Sequence, residues 1–218
     1  VYAGTGGSNS DVDGLRLREN TITDVATNLA SHDPLAGSVA GIYVRAEYDR
    51  LEIETNEITN VDSSGNDTTN ATGVALSSFI GDGAFSTPDA GSATASNTVV
   101  RDNYIHAITA TRKAKGIGTS GEFDGVTIRE NTIETLESTG NDVWAISLTE
   151  NPGKAGTDID SDSTDEQIGP RNFDIRLNET DSLTADGDPA HPVVGGYEDL
   201  GSTHVAVHYT HLTLPTIC

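Results

Sequence analysis

The sequence predicts an all-β fold in which one short coil is repeated and stacked, and three observations predict it. A nine-residue phrase recurs five times, as LRLRENTIT at 15–23, LEIETNEIT at 51–59, TVVRDNYIH at 98–106, VTIRENTIE at 126–134 and FDIRLNETD at 173–181. Each copy sets an asparagine between two alternating apolar runs. The intervals between those asparagines are 36, 47, 28 and 47 residues, a unit of 28 lengthened by inserts. A stacked repeat accommodates such variation because each coil contacts only its neighbours.

The elements follow in order from Asn20, Asn56, Asn103, Asn131 and Asn178. Five residues before them stand Leu15, Leu51, Thr98, Val126 and Phe173, and three before stand Leu17, Ile53, Val100, Ile128 and Ile175. This alternation is a strand with one face buried. Two residues after come Ile22, Ile58, Ile105, Ile133 and the exception Thr180, and five after come Val25, Val61, Ile108, Leu136 and Leu183. The chain therefore turns at the asparagine and re-enters the same core. Asparagine tolerates left-handed backbone, so it is expected to be the left-handed residue of the corner.

A second phrase supplies another strand per coil: GIYV at 41–44, GVAL at 73–76, GIGT at 116–119, AISL at 145–148 and HVAV at 204–207. Ile42 to Asn56 and Ile117 to Asn131 are both 14 residues. One coil then reads strand, turn, strand, asparagine corner, strand. Loop inserts fall near 77–97 and 150–171, the second carrying TDIDSDSTDE. A β-sandwich would space its strands roughly every 8–12 residues with hairpin signals, which the fixed phrase and unequal inserts disfavour.

These N-x-I corners resemble those of the right-handed parallel β-helix in the pectate-lyase-like superfamily, over about residues 12–208. The resemblance implies an all-β right-handed parallel β-helix, a solenoid of about five coils. Adjacent coils would lie about 4.8 Å apart, with the asparagine amides bonded along the stack as a ladder. Residues 1–208 form the expected domain. The tail 209–218, YTHLTLPTIC, leaves the repeat and resembles translated sequencing-adapter read-through, so it is expected to be non-native. The absence of methionine marks the chain as an expected piece of a longer protein.

Composition narrows the partners. Against 34 acidic residues there are 12 basic ones, of which nine are arginine, and the net charge is −22. Such a field repels nucleic acid and anionic lipid, and no apolar run reaches transmembrane length. The acid coat resembles that of proteins from salt-adapted microbes, haloarchaea especially, whose carboxylates stay hydrated while salt screens their repulsion. The single cysteine, Cys218, is terminal, so neither an internal disulfide nor a cysteine metal site arises. An extracellular or cell-surface location is expected.

Two sets of residues carry candidate chemistry. Two before the asparagines, on the outward face, stand Arg18, Glu54, Arg101, Arg129 and Arg176. They read either as a charge-alternating structural ladder or as a strip that grips uronate carboxylates with the guanidinium fork. The resemblance implies arginine as base in a lyase, which makes Arg101 and Arg129 the catalytic candidates. Arg18, Arg101, Arg129 and the outward Tyr43 are the candidate sugar-binding residues. Upstream, Asp11 and Asp13 in one coil and Glu47 and Asp49 in the next form an acidic preface able to supply the oxygen ligands that Ca²⁺ wants. Solvated acidic turns are the bland alternative. Trp144 is a further aromatic candidate, and sequons occur at Asn66, Asn70 and Asn178. Two functions are expected from different classes: binding of a polysaccharide or surface glycan with possible lyase or hydrolase cleavage, and a non-catalytic structural or adhesive module.

Overall fold

The computed structural model describes residues 1–4, 11–26, 38–45, 47–64, 70–77, 95–120, 123–140, 143–149, 171–185 and 205–208. Among them all regular structure is strand. The chain opens with β1 (Tyr2–Gly4), β2 (Asp11–Asp13), β3 (Arg16–Arg18) and β4 (Thr21–Ala26). It repeats the route through β5 (Ser38–Arg45), β6 (Glu47–Asp49), β7 (Glu52–Glu54) and β8 (Glu57–Asp62). Three longer-stranded circuits follow: β9 (Asn70–Ser77), β10 (Ala95–Arg101) and β11 (Tyr104–Ala110); β12 (Lys113–Ser120), β13 (Phe123–Arg129) and β14 (Thr132–Ser138); β15 (Val143–Thr149), β16 (Arg171–Arg176) and β17 (Glu179–Ala185). The last strand is β18 (Val205–His208).

Each circuit contributes in turn to three parallel sheets. Sheet A stacks β1, β5, β9, β12 and β15; sheet C stacks β4, β8, β11, β14 and β17. Sheet B runs from β2 and β3 through β6, β7, β10, β13 and β16 to β18. Register follows the repeated phrase: Leu17, Ile53, Val100, Ile128 and Ile175 are successive partners in sheet B, and Ile22, Ile58, Ile105, Ile133 and Thr180 in sheet C. The second phrase likewise aligns Ile42, Val74, Ile117 and Ile146 in sheet A.

HVAV is the exception. Its strand pairs Val205 with Phe173 and Val207 with Ile175, so it lies in sheet B with the first phrase and not in sheet A. The alternating pattern Val-x-Val suits either sheet, which is why the four letters misassign. The insert boundaries also move inward, because Ser77 ends one strand, Ala95 opens the next and Arg171 opens β16.

The corner has a different construction from the expected one. The left-handed residue is the one before each asparagine: Glu19, Thr55, Asp102, Glu130 and Leu177, with φ between 54° and 56°. Two further left-handed residues per circuit stand five residues to either side: Gly14, Arg50, Asn97, Gly125 and Asn172 before, and Asp24, Asn60, Ala107, Thr135 and Ser182 after. Each such residue takes up one position without advancing the in–out alternation. Core positions therefore recur with gaps of 2, 3, 2 and 3 around each asparagine, and the strand bends into the next sheet without leaving the core. The asparagine keeps ordinary backbone and works through its amide.

That amide builds a ladder. Asn20 Nδ2 donates to Asn56 Oδ1 at 2.8 Å, Asn56 Nδ2 to Asn103 Oδ1 at 2.9 Å, Asn103 Nδ2 to Asn131 Oδ1 at 2.9 Å and Asn131 Nδ2 to Asn178 Oδ1 at 2.9 Å. Every receiving Oδ1 also accepts the backbone N–H of the preceding rung's asparagine, and Nδ2 donates in addition to a carbonyl such as Ile53 O. Buried amides are thus fully used, which offsets the desolvation of placing them in the core.

Aliphatic stacks fill the remainder: Ile42, Leu51, Ile53, Ile58, Ile105, Ile108, Ile117, Ile128 and Ile133 are fully buried. Sheet A approaches sheet C through Gly41, Gly73 and Gly116. A Cβ on Gly73 would sit 2.5 Å from Ile105 Cγ2 and 2.7 Å from the Gly116 carbonyl. The next residue in this row is Ala145, on β15, which packs against β17, where Thr180 stands in place of isoleucine. The exceptional Thr180 and the exceptional Ala145 therefore belong to the same layer.

Candidate functional site

Outward positions of the three sheets differ in chemistry. Sheet B carries the arginines. Backbone pairing sets Arg18, Glu54, Arg101, Arg129 and Arg176 in one row across consecutive strands, and Arg16, Glu52, Val99, Thr127 and Asp174 in the neighbouring row. The parallel register, set by the buried Leu, Ile and Val positions, is what aligns them.

Glu54 anchors the row. Its side chain is only 8% exposed, with Oε1 accepting from Arg101 Nε at 2.7 Å and Oε2 lying 3.1 Å from Arg18 Nε. Arg16 and Arg18 both reach Glu52. The remaining arginines pair with flanking acids: Arg101 also with Asp102, Arg129 with Glu130 and Arg176 with Asp174. The hydrogen bond from Arg101 holds the Glu54 carboxyl below its ordinary value, against burial, with the charges of Arg101, Arg18 and Arg16 helping. The same bond pushes Arg101 up.

A depressed carboxyl contributes stability that is present above its ordinary value of 4.5 and is lost as pH falls through the folded value. Wild-type thermal stability is therefore expected to fall on acidification below roughly pH 4.5. Glu54→Gln should be less stable at neutral pH and should show a flatter acid limb. Parallel acid limbs in melting curves of the two proteins would show that Glu54 is not the responsible group.

The acidic preface is aligned as expected, with Asp11 opposite Glu47 and Asp13 opposite Asp49. The side chains of Asp11, Asp13 and Glu47 lie outside the described residues. Asp49 is described: its Oδ1 accepts from Ser96 Oγ and Asn97 Nδ2, both at 2.7 Å, and its Oδ2 lies 3.6 Å from Arg50 Nε. The Asn97 bond, followed by that from Ser96, lowers its pKa. Asp49 is thus tied to β10, the sheet B strand of the next circuit. Among the described residues no group of three or more His, Cys, Asp or Glu is placed to hold a metal.

Tyr43 is half-buried on the outward side of β5, while Trp144, on the outward side of β15, is only 8% exposed. Asn178 is spent as the last described rung of the ladder, accepting from Asn131 and donating to Ile128 O. Its sequon is therefore closed to glycosylation in the folded chain. Asn66 and the expected inserts at 78–94 and 150–170 lie outside the described residues.

Sequence reasoning missed the outward face of sheet C. On its central strand β11, Tyr104 and His106 point outward with ring centroids 5.8 Å apart and planes 8° from parallel. Tyr104 Oη donates to Glu134 Oε2 at 3.2 Å. The i, i+2 spacing of two ring side chains around Ile105 was the available signal. Compared with protein-family models, with curated proteins and with solved structures, the chain matches none of them significantly.

Proposed function

We propose that the chain is a right-handed parallel β-helix that serves outside the cell or on its surface as a non-catalytic module binding acidic polysaccharide along sheet B. One observation carries this reading: Arg101, Arg129 and Arg176 occupy successive strands of a single outward row, with no acid between them in that row. Successive guanidiniums spaced by about 4.8 Å present a series of forks to a chain of carboxylates. The flanking acids are exposed or half-exposed partners, and such pairs are weak enough to exchange for a ligand carboxylate. The acid coat elsewhere discourages adsorption to other polyanions.

Arg101 is left out as the base of a lyase for a chemical reason. An arginine acting as base must lose its proton, whereas Arg101 is held protonated by Glu54. A second reading, a rigid surface spacer, is favoured by the buried Glu54, which ties Arg18 and Arg101 into the scaffold.

Affinity electrophoresis through polygalacturonate and alginate separates the two. Retardation of the wild-type chain, reduced about tenfold in Arg129→Glu and weakened by salt, is the result expected for binding. Equal mobility with and without the acidic polymers leaves the spacer. Unsaturated uronide ends appearing in the polymer, with Ca²⁺ and molar salt present, would overturn the non-catalytic assignment.

A further inference from the structure

The outward face of sheet C is unlike that of sheet B. Its described residues include Asp24, Glu57, Asp62, Glu134, Glu137, Glu179 and Asp181, with no lysine or arginine among them. Uronate and sulfated sugars are repelled there. In the middle of that face stands the Tyr104–His106 pair, on the central strand of five.

Two features make the pair more than surface decoration. Tyr104 is 38% exposed, an exposed large side chain in a chain with only 5% aromatic residues. It is also held in place: its hydroxyl is tied to Glu134 on the next strand, its ring is stacked on His106, and its backbone pairs with Glu57 and Thr132 on both sides. A ring fixed before a ligand arrives loses little entropy on binding.

Around the rings the register places hydrogen-bonding groups on both neighbouring strands. Glu57 and Thr132 flank Tyr104 in its row, and Thr59 and Glu134 flank His106 in the adjacent row. Each threonine offers a donor and an acceptor, and each carboxylate offers acceptors. A sugar ring presents the complementary set: an apolar C–H face for the aromatic surface and hydroxyls around its edge.

We propose that sheet C carries a second glycan site, centred on Tyr104 and His106 and framed by Glu57, Thr59, Thr132 and Glu134, that takes a neutral sugar of a polysaccharide chain. The carboxylates of the described face, with no lysine or arginine among its residues, set the class, since they repel an anionic sugar. The site is independent of the sheet B reading, and the two can fail separately.

Isothermal titration with cellohexaose, mannohexaose and laminarihexaose, with trigalacturonate as the acidic control, tests it. At least one neutral hexasaccharide is expected to bind, with affinity falling tenfold or more in Tyr104→Ala and in His106→Ala. Tyr104→Trp retains a stacking face and should keep binding, and Arg129→Glu should leave it unchanged. Because all three positions face outward, unaltered circular dichroism and melting are expected to accompany these changes. No heat with any neutral hexasaccharide overturns the proposal, as does binding that survives both alanine variants or that Arg129→Glu abolishes equally. Tighter binding of trigalacturonate that Tyr104→Ala weakens would overturn the assignment of sugar class.

Discussion

Gly73→Ala is expected to lower the unfolding free energy by about 3 kcal/mol, at the severe end of overpacking substitutions. The added Cβ would lie 2.5 Å from Ile105 Cγ2 and 2.7 Å from the Gly116 carbonyl oxygen. A side chain can rotate away, but the carbonyl belongs to the sheet A ladder and cannot move without breaking register. Relaxation of the Ile105 side chain alone should therefore recover only part of the loss. Gly116→Ala should behave alike, because it meets Ile133 Cγ2 at 2.6 Å and the Ala145 carbonyl at 2.6 Å. Gly118→Ala is the control: its Cβ would meet nothing closer than Lys115 Cδ at 3.4 Å. There the smaller entropy of the unfolded chain should leave stability unchanged or raised by up to about 1 kcal/mol. Urea unfolding of the three variants checks the ordering. Similar losses at 73 and 118 would mean that sheets A and C can move apart.

Asn103→Ala should cost about 4 kcal/mol, because one truncation strands several buried partners at once. The side chain is 1% exposed. Its Oδ1 accepts the backbone N–H of Asn56 at 3.0 Å and the Asn56 amide at 2.9 Å. Its Nδ2 donates to Ile53 O and to Asn131 Oδ1, both at 2.9 Å. Asparagine to aspartate at this position replaces a double donor with an acceptor facing two oxygens, and should be at least as damaging at neutral pH and milder in acid. Asn20→Ala, half-exposed and bonded to the ladder on one side only, should cost about 1 kcal/mol. Chemical denaturation monitored by circular dichroism measures the series. Equal losses at 20 and 103 would indicate that the rungs act singly and gain nothing from both neighbours.

Much of this architecture was legible because the repeated phrase is a direct projection of the core. Leu17, Ile53, Val100, Ile128 and Ile175 align in the sequence for the same reason that they align in space. The asparagine positions were legible too, but their role was only half so. The letter asparagine points both to left-handed backbone and to amide hydrogen bonding, and nothing in the string separates the two. The left-handed residues themselves are Glu, Thr, Asp and Leu before the corner, of which only aspartate favours that region. HVAV shows a similar limit, since alternation names a strand without naming its sheet. At the candidate sites, the arginine row could be read from spacing, yet the partners Glu130 and Asp174 could not, because side-chain reach is not periodic. The pairing of Tyr104 with His106 was passed over because one copy of a phrase that differs from the other four reads as noise until its neighbours on adjacent strands are known.

The left-handed residues spaced by five give the chain something like a reading frame. Between Gly14 and Asp24, or between Gly125 and Thr135, every residue has a fixed face, and loss or gain of a single one would turn the following strand inside out. Between one circuit's last framed residue and the next circuit's first only the sheet A strand is fixed in register, and the connections beside it let the observed intervals differ by as much as 19 residues (47 − 28). Evolution of such a chain can therefore proceed by duplicating whole frames and by lengthening the gaps between them. Within a frame only substitution is open to it, and substitution is least restrained on the exposed outward letters. New surfaces can be written there without renegotiating the core beneath them.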